Sequence, residues 1–244
     1  MTTTPSSKKI IIVGATSGIG RAMAEMFAQN NYLVGITGRR AALLEEIRQQ
    51  YPEHIHTQEM DIRSSEAVEQ LQQLVTAMGG MDILFINSGY GKELPELEPE
   101  MELQTVDTNV KGFTNIMVFG YNYFKQQKGG QIVVTSSVAG VRGLRQSPAY
   151  SASKRYMNQY VDSLAQRANH EKIKLKFTTL MPGFIATDFL TGHNYPLVVP
   201  LSKVTKTIYR AIVRKKRAIY LPCRWNFIVI LWRLIPKRIW EKFC

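Results

Sequence analysis

The first patterned stretch of the chain, Lys8 to Val13, carries a continuous apolar run, Ile10 to Val13, and is followed by a cluster of glycines. From Arg21 to Gln29, Ala22, Met26 and Phe27 then recur on one helical face. A short run without polar alternation predicts a strand buried on both faces, and recurrence near 3.6 residues predicts a helix. The alternation continues along the chain. Strands are predicted at Tyr32–Thr37, Ile55–Met60, Asp82–Asn87, Gln131–Ser136, Leu175–Met181 and, shortest, Ala218–Leu221. Helices are predicted at Ala41–Gln50, Ser65–Met78, Val106–Phe124, Ser151–Asn169 and Ser202–Val213. Strands separated by helices of this length predict an α/β domain with a doubly wound, seven-stranded parallel sheet covered on both faces. It spans residues 1–223, and residues 224–244 form an extension of the same domain.

Composition adds limits to this picture. With 244 residues, 45% apolar and 20% charged, the chain has enough core to fold without metal or disulfide staples. Its two cysteines, Cys223 and Cys244, lie near the carboxyl end, which excludes a disulfide framework or a cysteine-rich metal site. No metal is expected. The net charge of +12 is unevenly placed: residues 203–244 hold 12 Lys and Arg against the single acid Glu241, while residues 1–202 are nearly neutral. Met1 to Lys9 is polar, and the longest strongly apolar run, Phe227–Trp232, is far short of the ~20 residues that cross a bilayer. A cytoplasmic protein is expected.

Chemistry enters at the strand ends. The segment Gly14–Gly20, with Thr16, Ser17 and Ile19 among its glycines, joins a strand to a helix, where backbone amides can meet a pyrophosphate at the positive helix end. The next strand ends in Thr37-Gly38-Arg39-Arg40, where an acid would face an unphosphorylated ribose. Arg39 offers a planar donor set to a 2'-phosphate and Gly38 leaves room for it, so NADP(H) is preferred over NAD(H). The competing reading has Arg39 and Arg40 simply open a solvated helix. Asp61, followed by Ile62, either caps the next helix or accepts from an adenine amine.

Tyr150 and Lys154 are four residues apart on one helix, which puts both on one face and lets an ammonium stabilise an ionised phenol. Ser137, at a preceding strand end, adds a hydroxyl for the same reacting oxygen. That set suits polarisation of a carbonyl during hydride transfer. Asn109 lies within a predicted helix, where an amide side chain is mildly unfavourable without a specific partner.

In these motifs the chain resembles the short-chain dehydrogenase/reductase family over nearly its full length, which implies a single-domain Rossmann fold. Gly14, Gly18 and Gly20 match the glycine motif, although Val13 stands where threonine is common. Asn87-Ser88-Gly89 resembles the Asn-Ala-Gly element, with Asn87 and Gly89 retained. Asn109, Ser137, Tyr150 and Lys154 match the catalytic tetrad. The resemblance implies that Tyr150 exchanges the proton, Lys154 also binds the nicotinamide ribose, and Asn109 holds a water in a relay. Pro182-Gly183-Phe184-Ile185-Ala186-Thr187 resembles the nicotinamide loop, with Ile185 toward the carboxamide and Thr187 toward the pyrophosphate. The implied activity is hydride exchange between NADP(H) and a ketone, aldehyde or secondary alcohol. The rival is a non-catalytic NADP(H)-binding sensor or scaffold that docks a partner through its tail. Family resemblance also implies a homodimer or homotetramer through the helices near 106–124 and 151–169.

Phe189, Leu190, Tyr195, Pro196, Leu197, Val198 and Val199 form a short apolar lid candidate, and with Val138, Val141 and Leu144 they predict a lipophilic small-molecule substrate. Arg142 and Arg145 either contact an acidic group or are solvated. In the tail, Trp225, Ile228, Val229, Trp232, Ile235, Ile239 and Trp240 fall near helical intervals broken at Pro236, among Arg and Lys. Two placements fit: peripheral contact with an anionic membrane, with the tryptophans at the interface, or packing on the domain edge or a second subunit. No nucleic-acid partner is expected, because the charge is interleaved with apolar residues and no binding module is present.

Overall fold

Ile10, Ile11, Ile12 and Val13 have no exposed surface, so the first strand is covered on both sides and must be central. The computed structural model describes residues 7–93, 96–187, 189–190 and 197–243. The elements run β1 (Lys9–Val13), α1 (Gly18–Ala28), β2 (Leu33–Gly38), α2 (Ala41–Gln50), β3 (Ile55–Glu59), α3 (Ala67–Ala77) and β4 (Ile83–Ile86). They continue through α4 (Pro99–Val106), α5 (Phe113–Gln126), β5 (Gly129–Thr135), α6 (Pro148–His170), β6 (Lys174–Pro182), β7 (Ile185–Ala186) and β8 (Val199–Pro200). Last come α7 (Leu201–Val213), β9 (Ala218–Leu221), α8 (Trp225–Leu234) and α9 (Lys237–Phe243).

The main sheet is parallel throughout, in the order β3-β2-β1-β4-β5-β6-β9. This is the doubly wound, seven-stranded architecture expected. Chain order reverses between β1 and β4, where Ile10–Val13 pair with Val34–Thr37 on one side and Ile83–Ile86 on the other. One core lies under α3, α5 and α6, built around Leu71, Phe113, Met117 and Phe124. The other lies under α1, α2 and α7, built around Phe27, Leu44 and Ile208. Gln131 crosses between layers, its Nε2 donating to the Thr178 hydroxyl at 2.9 Å and the Ile212 carbonyl at 3.0 Å.

Several local expectations change. The α1 residues that fill the core are Met23, Ala24 and Phe27, while Ala22 and Met26 are half-buried, because the helix meets the sheet one position away from the face predicted. The single helix expected at 106–124 is α4, a π-helical turn over Asp107–Gly112, and α5. Helix α6 begins at Pro148, whose fixed φ suits a first helical turn, so Tyr150 sits near its start. The two-residue strands β7 and β8 pair in a separate small sheet that no periodicity announced.

The tail packs on its own domain. Trp225 and Val229 join Val138 in a third cluster, with Phe184, Tyr220, Ile228 and Trp232 against it. The rings run in edge contact from Phe184 to Trp225 (5.7 Å), Trp232 (5.6 Å) and Trp240 (5.4 Å). Trp240 donates from Nε1 to the Gly143 carbonyl at 2.9 Å. Arg142 lies 5.3 Å over the Trp240 ring and donates to the carbonyls of Arg233 and Ile235, the otherwise unpaired end of α8. Of the two placements open for the tryptophans, packing on the domain edge is the one their rings take, because the domain offers them an apolar seat. Arg142 is spent on the same contact, and Arg145 is exposed.

Replacing Trp225 by Ala removes the centre of this cluster. Urea unfolding should show a loss of about 3–5 kcal/mol, the cost of deleting a buried Trp side chain.

Candidate active site

The carboxyl ends of β1, β4, β5 and β6 converge where the strand order reverses, the position at which sheets of this kind bind ligands. After β1, Gly14 takes φ +88°, a conformation side chains disfavour, and an added Cβ there would collide with Ser88. Gly18 and Gly20 follow in the first turn of α1, and Ile19 packs half-buried against the α1-side core. Ser17 stands at the helix cap without a side-chain bond to it, and no acid occupies the first turn. The amides there are free of both kinds of competitor for an anion.

Asn87 ties this turn to the sheet. Its Nδ2 donates to the Gly14 carbonyl at 2.8 Å, and its Oδ1 accepts from the Thr135 hydroxyl at 2.9 Å. Arg40 donates to the Thr16 hydroxyl at 2.6 Å and to the Ser17 hydroxyl at 3.2 Å, closing the outer edge. Arg39 is exposed. The room expected at Gly38 is held by the Thr16 side chain, with which an added Cβ would overlap at 2.5 Å. Asp61 binds Arg63, accepting from its backbone N–H at 3.0 Å and its guanidinium at 2.6 Å, so it caps its own turn. Those bonds, with Arg39 contributing a weaker attraction, hold the Asp61 carboxyl below its ordinary range. The Ile62 side chain is buried in the α3-side core.

The Ser137 hydroxyl accepts from the Ala139 N–H at 3.1 Å, capping the short helical turn after β5, and donates to the Pro182 carbonyl at 3.3 Å. That bond brings the ends of β5 and β6 together. Lys154 is 3% exposed, with Nζ donating to the Thr135 carbonyl at 3.0 Å and lying 5.5 Å from the Tyr150 ring centroid. Gly89 is adjacent: an added Cβ there would lie 3.2 Å from that ammonium. The Tyr150 ring rests on Gly91, where an added Cβ would collide with it, and meets Phe189 at 5.6 Å.

Lys154 is buried and Tyr150 half-buried, and the atoms packed around them govern the titration of the pair. Desolvation pushes the Tyr150 phenol up to about 12, opposed only by the Ser137 hydroxyl, and pulls the Lys154 ammonium down to about 7. The expected lowering of the phenol is therefore outweighed. Lys154 donates to a carbonyl rather than to the phenol, and both groups lose more hydration than their proximity returns.

Asn109 is fully buried in the π-helical turn, and its partner is the chain at Tyr90. Its Oδ1 accepts from the Tyr90 N–H at 2.8 Å, while its Nδ2 donates to the Tyr90 carbonyl at 2.6 Å and the Ser153 hydroxyl at 3.0 Å. The side chain fastens the Gly89–Gly91 segment beside Tyr150, with both amide protons engaged. π-Helical turns recur at functional sites because they re-aim one residue of a helix.

The Pro182–Gly183 turn crosses from β6 toward α1. Ile185 is buried in β7, and Thr187 approaches Gly18, where an added Cβ would be 3.4 Å away. Trp225 lies against Gly183 so closely that any Cβ would overlap the indole nitrogen, which is buried with no hydrogen-bond partner among the described residues. Of the lid candidates, Phe189 reaches Tyr150, Val199 packs into the α1-side core, and Tyr195 and Pro196 lie outside the described residues. Val138 and Val141 face the tail tryptophans. Sequence reasoning missed three contributors: Gly91, Ser153, and Trp225 as a neighbour of the Pro-Gly turn. Only the glycines flanking Tyr90 offered a signal.

The family model for short chain dehydrogenase matches residues 8–195. A sulfoacetaldehyde reductase of Chromohalobacter salexigens is 30% identical, over 74% of this chain and 73% of that protein. A 3-ketodihydrosphingosine reductase of Bacteroides thetaiotaomicron is also 30% identical, over 76% of this chain and 66% of its own. The solved structure of ElxO with NADP bound shares the fold, with a TM-score of 0.77 at 23% identity, covering 88% of this chain and 97% of that one. The chain belongs to the short-chain dehydrogenase family and is an oxidoreductase.

Stability should follow the two shifted groups. Between pH 7 and 10.5 the unfolded chain holds a proton on Lys154 that the folded chain has lost, so stability rises with pH across that window. Between pH 10 and 12 the folded chain retains the Tyr150 proton and the sign reverses. Urea midpoints measured from pH 6 to 10 should rise less steeply in Lys154→Met than in the natural protein, and equal slopes would contradict the burial of the ammonium.

Proposed function

We propose that the protein is an NADP(H)-dependent oxidoreductase that interconverts a lipophilic ketone or aldehyde and the corresponding secondary or primary alcohol. The observation that carries this is the meeting of Ser137, Tyr150 and Lys154 beside the Pro182–Gly183 turn, at the same sheet end as an uncapped, acid-free helix start. The residues fit the dinucleotide. Free amides at Ser17–Gly20 suit the pyrophosphate, exposed Arg39 and Arg40 suit a 2'-phosphate where an acid would repel it, and Lys154 Nζ suits ribose hydroxyls. Ile185 would hold the nicotinamide end and Thr187, which approaches Gly18, the pyrophosphate end. When bound, NADP(H) supplies or accepts the hydride.

The chain's own residues handle the oxygen. Ser137 and Tyr150 donate hydrogen bonds to the carbonyl oxygen, which favours the charge that develops on it. A phenol whose pKa burial has raised keeps its proton until that oxygen needs it, then transfers it. Lys154 would hold the ribose hydroxyls, and its ammonium, 5.5 Å from the Tyr150 ring, would favour the ionised phenol. Asn109 is a positioning residue that holds the Tyr90 segment under the Tyr150 ring. The apolar surroundings, Phe189, Val138 and Trp225, favour an uncharged chain on the substrate. The 3-ketodihydrosphingosine reductase lends support by its name, while the sulfoacetaldehyde reductase is named for a small anion for which these walls offer little.

In this reading the enzyme is cytoplasmic, with its basic tail toward the inner face of a membrane. It forms a homodimer or homotetramer through α5 and α6, where Val118 is 44% exposed and the half-buried Tyr156 and Tyr160 stack.

Tyr150→Phe should lower kcat by about 10²–10⁴ while leaving the Kd for NADPH within about threefold, since only the proton donor is removed. Turnover near normal in the folded variant contradicts the assignment, and tight NADPH binding without turnover of any lipophilic carbonyl by the natural protein favours the sensor. Arg39→Ala should raise the Kd for NADPH about tenfold or more, the value of lost charge-assisted bonds, with NADH nearly unaffected. Parallel titrations showing equal effects would remove Arg39 from phosphate recognition.

A further inference from the structure

Helix α8 carries two apolar stripes at the same interval. Trp225, Ile228, Val229 and Trp232 follow i, i+3, i+4, i+7 and face the domain. Phe227, Ile230, Leu231 and Leu234 repeat that spacing two positions on, and they are 75%, 54%, 62% and 73% exposed. A surface helix normally pairs one apolar stripe with a polar face, and a helix apolar on both sides needs cover on both. Ile239 of α9, 52% exposed, adds to the outward patch.

Charge decides what provides that cover. Arg224, Arg233, Lys237, Arg238 and Lys242 are all exposed along the two helices, and Glu241, the only acid among residues 203–244, already faces Lys237 at 3.7 Å. A second copy seated on this patch about a two-fold axis would set one cationic rim against another. An anionic bilayer matches both parts: the acyl boundary takes the apolar stripe and the headgroups take the cations. Among the described residues no helix is long and apolar enough to cross a membrane, so α8 would lie in the interface plane.

The patch also adjoins the reacting groups. On the opposite side of the same helix, Trp225 closes on Gly183 and Val138, the neighbour of Ser137. Arg224 hydrogen-bonds the carbonyl of Leu197, which is 47% exposed, and Phe189, 46% exposed, covers Tyr150. One helix diameter, about 10–12 Å, separates the outward stripe from the Ser137 side.

We propose that α8 and α9 seat the protein on an anionic phospholipid bilayer, from which it draws a long-chain carbonyl or alcohol lipid directly. The substrate half of this rests on the oxidoreductase reading above; the seat does not.

The test uses the full chain and extruded vesicles of phosphatidylglycerol or phosphatidylcholine. The natural protein should sediment with phosphatidylglycerol vesicles at least tenfold more than with phosphatidylcholine, and F227D/L231D should lose that binding tenfold or more. Both replaced side chains point away from the domain, so circular dichroism, the thermal midpoint and turnover of a short water-soluble ketone should be unchanged. With 2-hexadecanone embedded in phosphatidylglycerol vesicles, the variant should lose at least tenfold in turnover. A natural protein that stays in the supernatant, or a variant that binds equally, overturns the seat. So does a dimer that the variant converts to monomer on size exclusion while vesicle binding is absent, since the occupant is then a second copy. Equal turnover of the embedded ketone by a non-binding variant overturns direct lipid uptake. Vesicle binding without turnover of either ketone supports the seat and overturns the lipophilic-ketone reading on which the substrate half rests.

Discussion

A phenol and an ammonium are held in one poorly hydrated site, and most of the structure around them serves that constraint. Tyr150 and Lys154 share a face of α6, yet their hydration is lost to surroundings contributed by β5, the Tyr90 segment and the residues after β6. Neither charged form is favoured by the chain alone: the phenol rises to about 12 and the ammonium falls to about 7. Such a pair has charge states that respond strongly to whatever binds beside it, because each new hydrogen bond replaces missing water. A solvated tyrosine and lysine at the same spacing would have little such response.

The glycines and amides near this pair act as fasteners. Asn87 joins β1 to β5, Asn109 joins the π-helical turn to Tyr90, and Ser137 joins the end of β5 to that of β6. Asn109 and Ser137 are buried and Asn87 half-buried, and each is satisfied by backbone or hydroxyl partners, so each fixes a relative position that apolar packing alone would leave to slide. Gly91 and Gly183 work by omission, letting the Tyr150 and Trp225 rings approach the backbone.

The tail extends this logic to the edge of the domain. Trp225, Trp232 and Trp240 form a ring ladder over the segment that follows Ser137, and Arg142 neutralises the carbonyl end of α8 while lying on Trp240. The two placements open for the tryptophans differ in which side of α8 the domain covers, and it covers the tryptophan side. Both stripes of α8 are apolar, so periodicity alone gave no means of choosing which one the domain would claim.

The alternation of buried strands with amphipathic helices was enough to predict the sheet and its helices, because periodicity records which faces are covered. The glycine turn, Asn87, Ser137, Tyr150 and Lys154 were legible for a related reason: the first lies between strand and helix, and the last two share a helical face by spacing alone. Local pattern also located the excess charge. It did not reveal that Arg63 would take Asp61, that Thr16 would fill the space beside Gly38, or that Asn109 would bind a segment 19 residues away. Nor did it show that burial would reverse the expected titration of Tyr150. Those outcomes depend on which distant groups arrive at the same point and how much water they displace, quantities that exist only once the chain has folded.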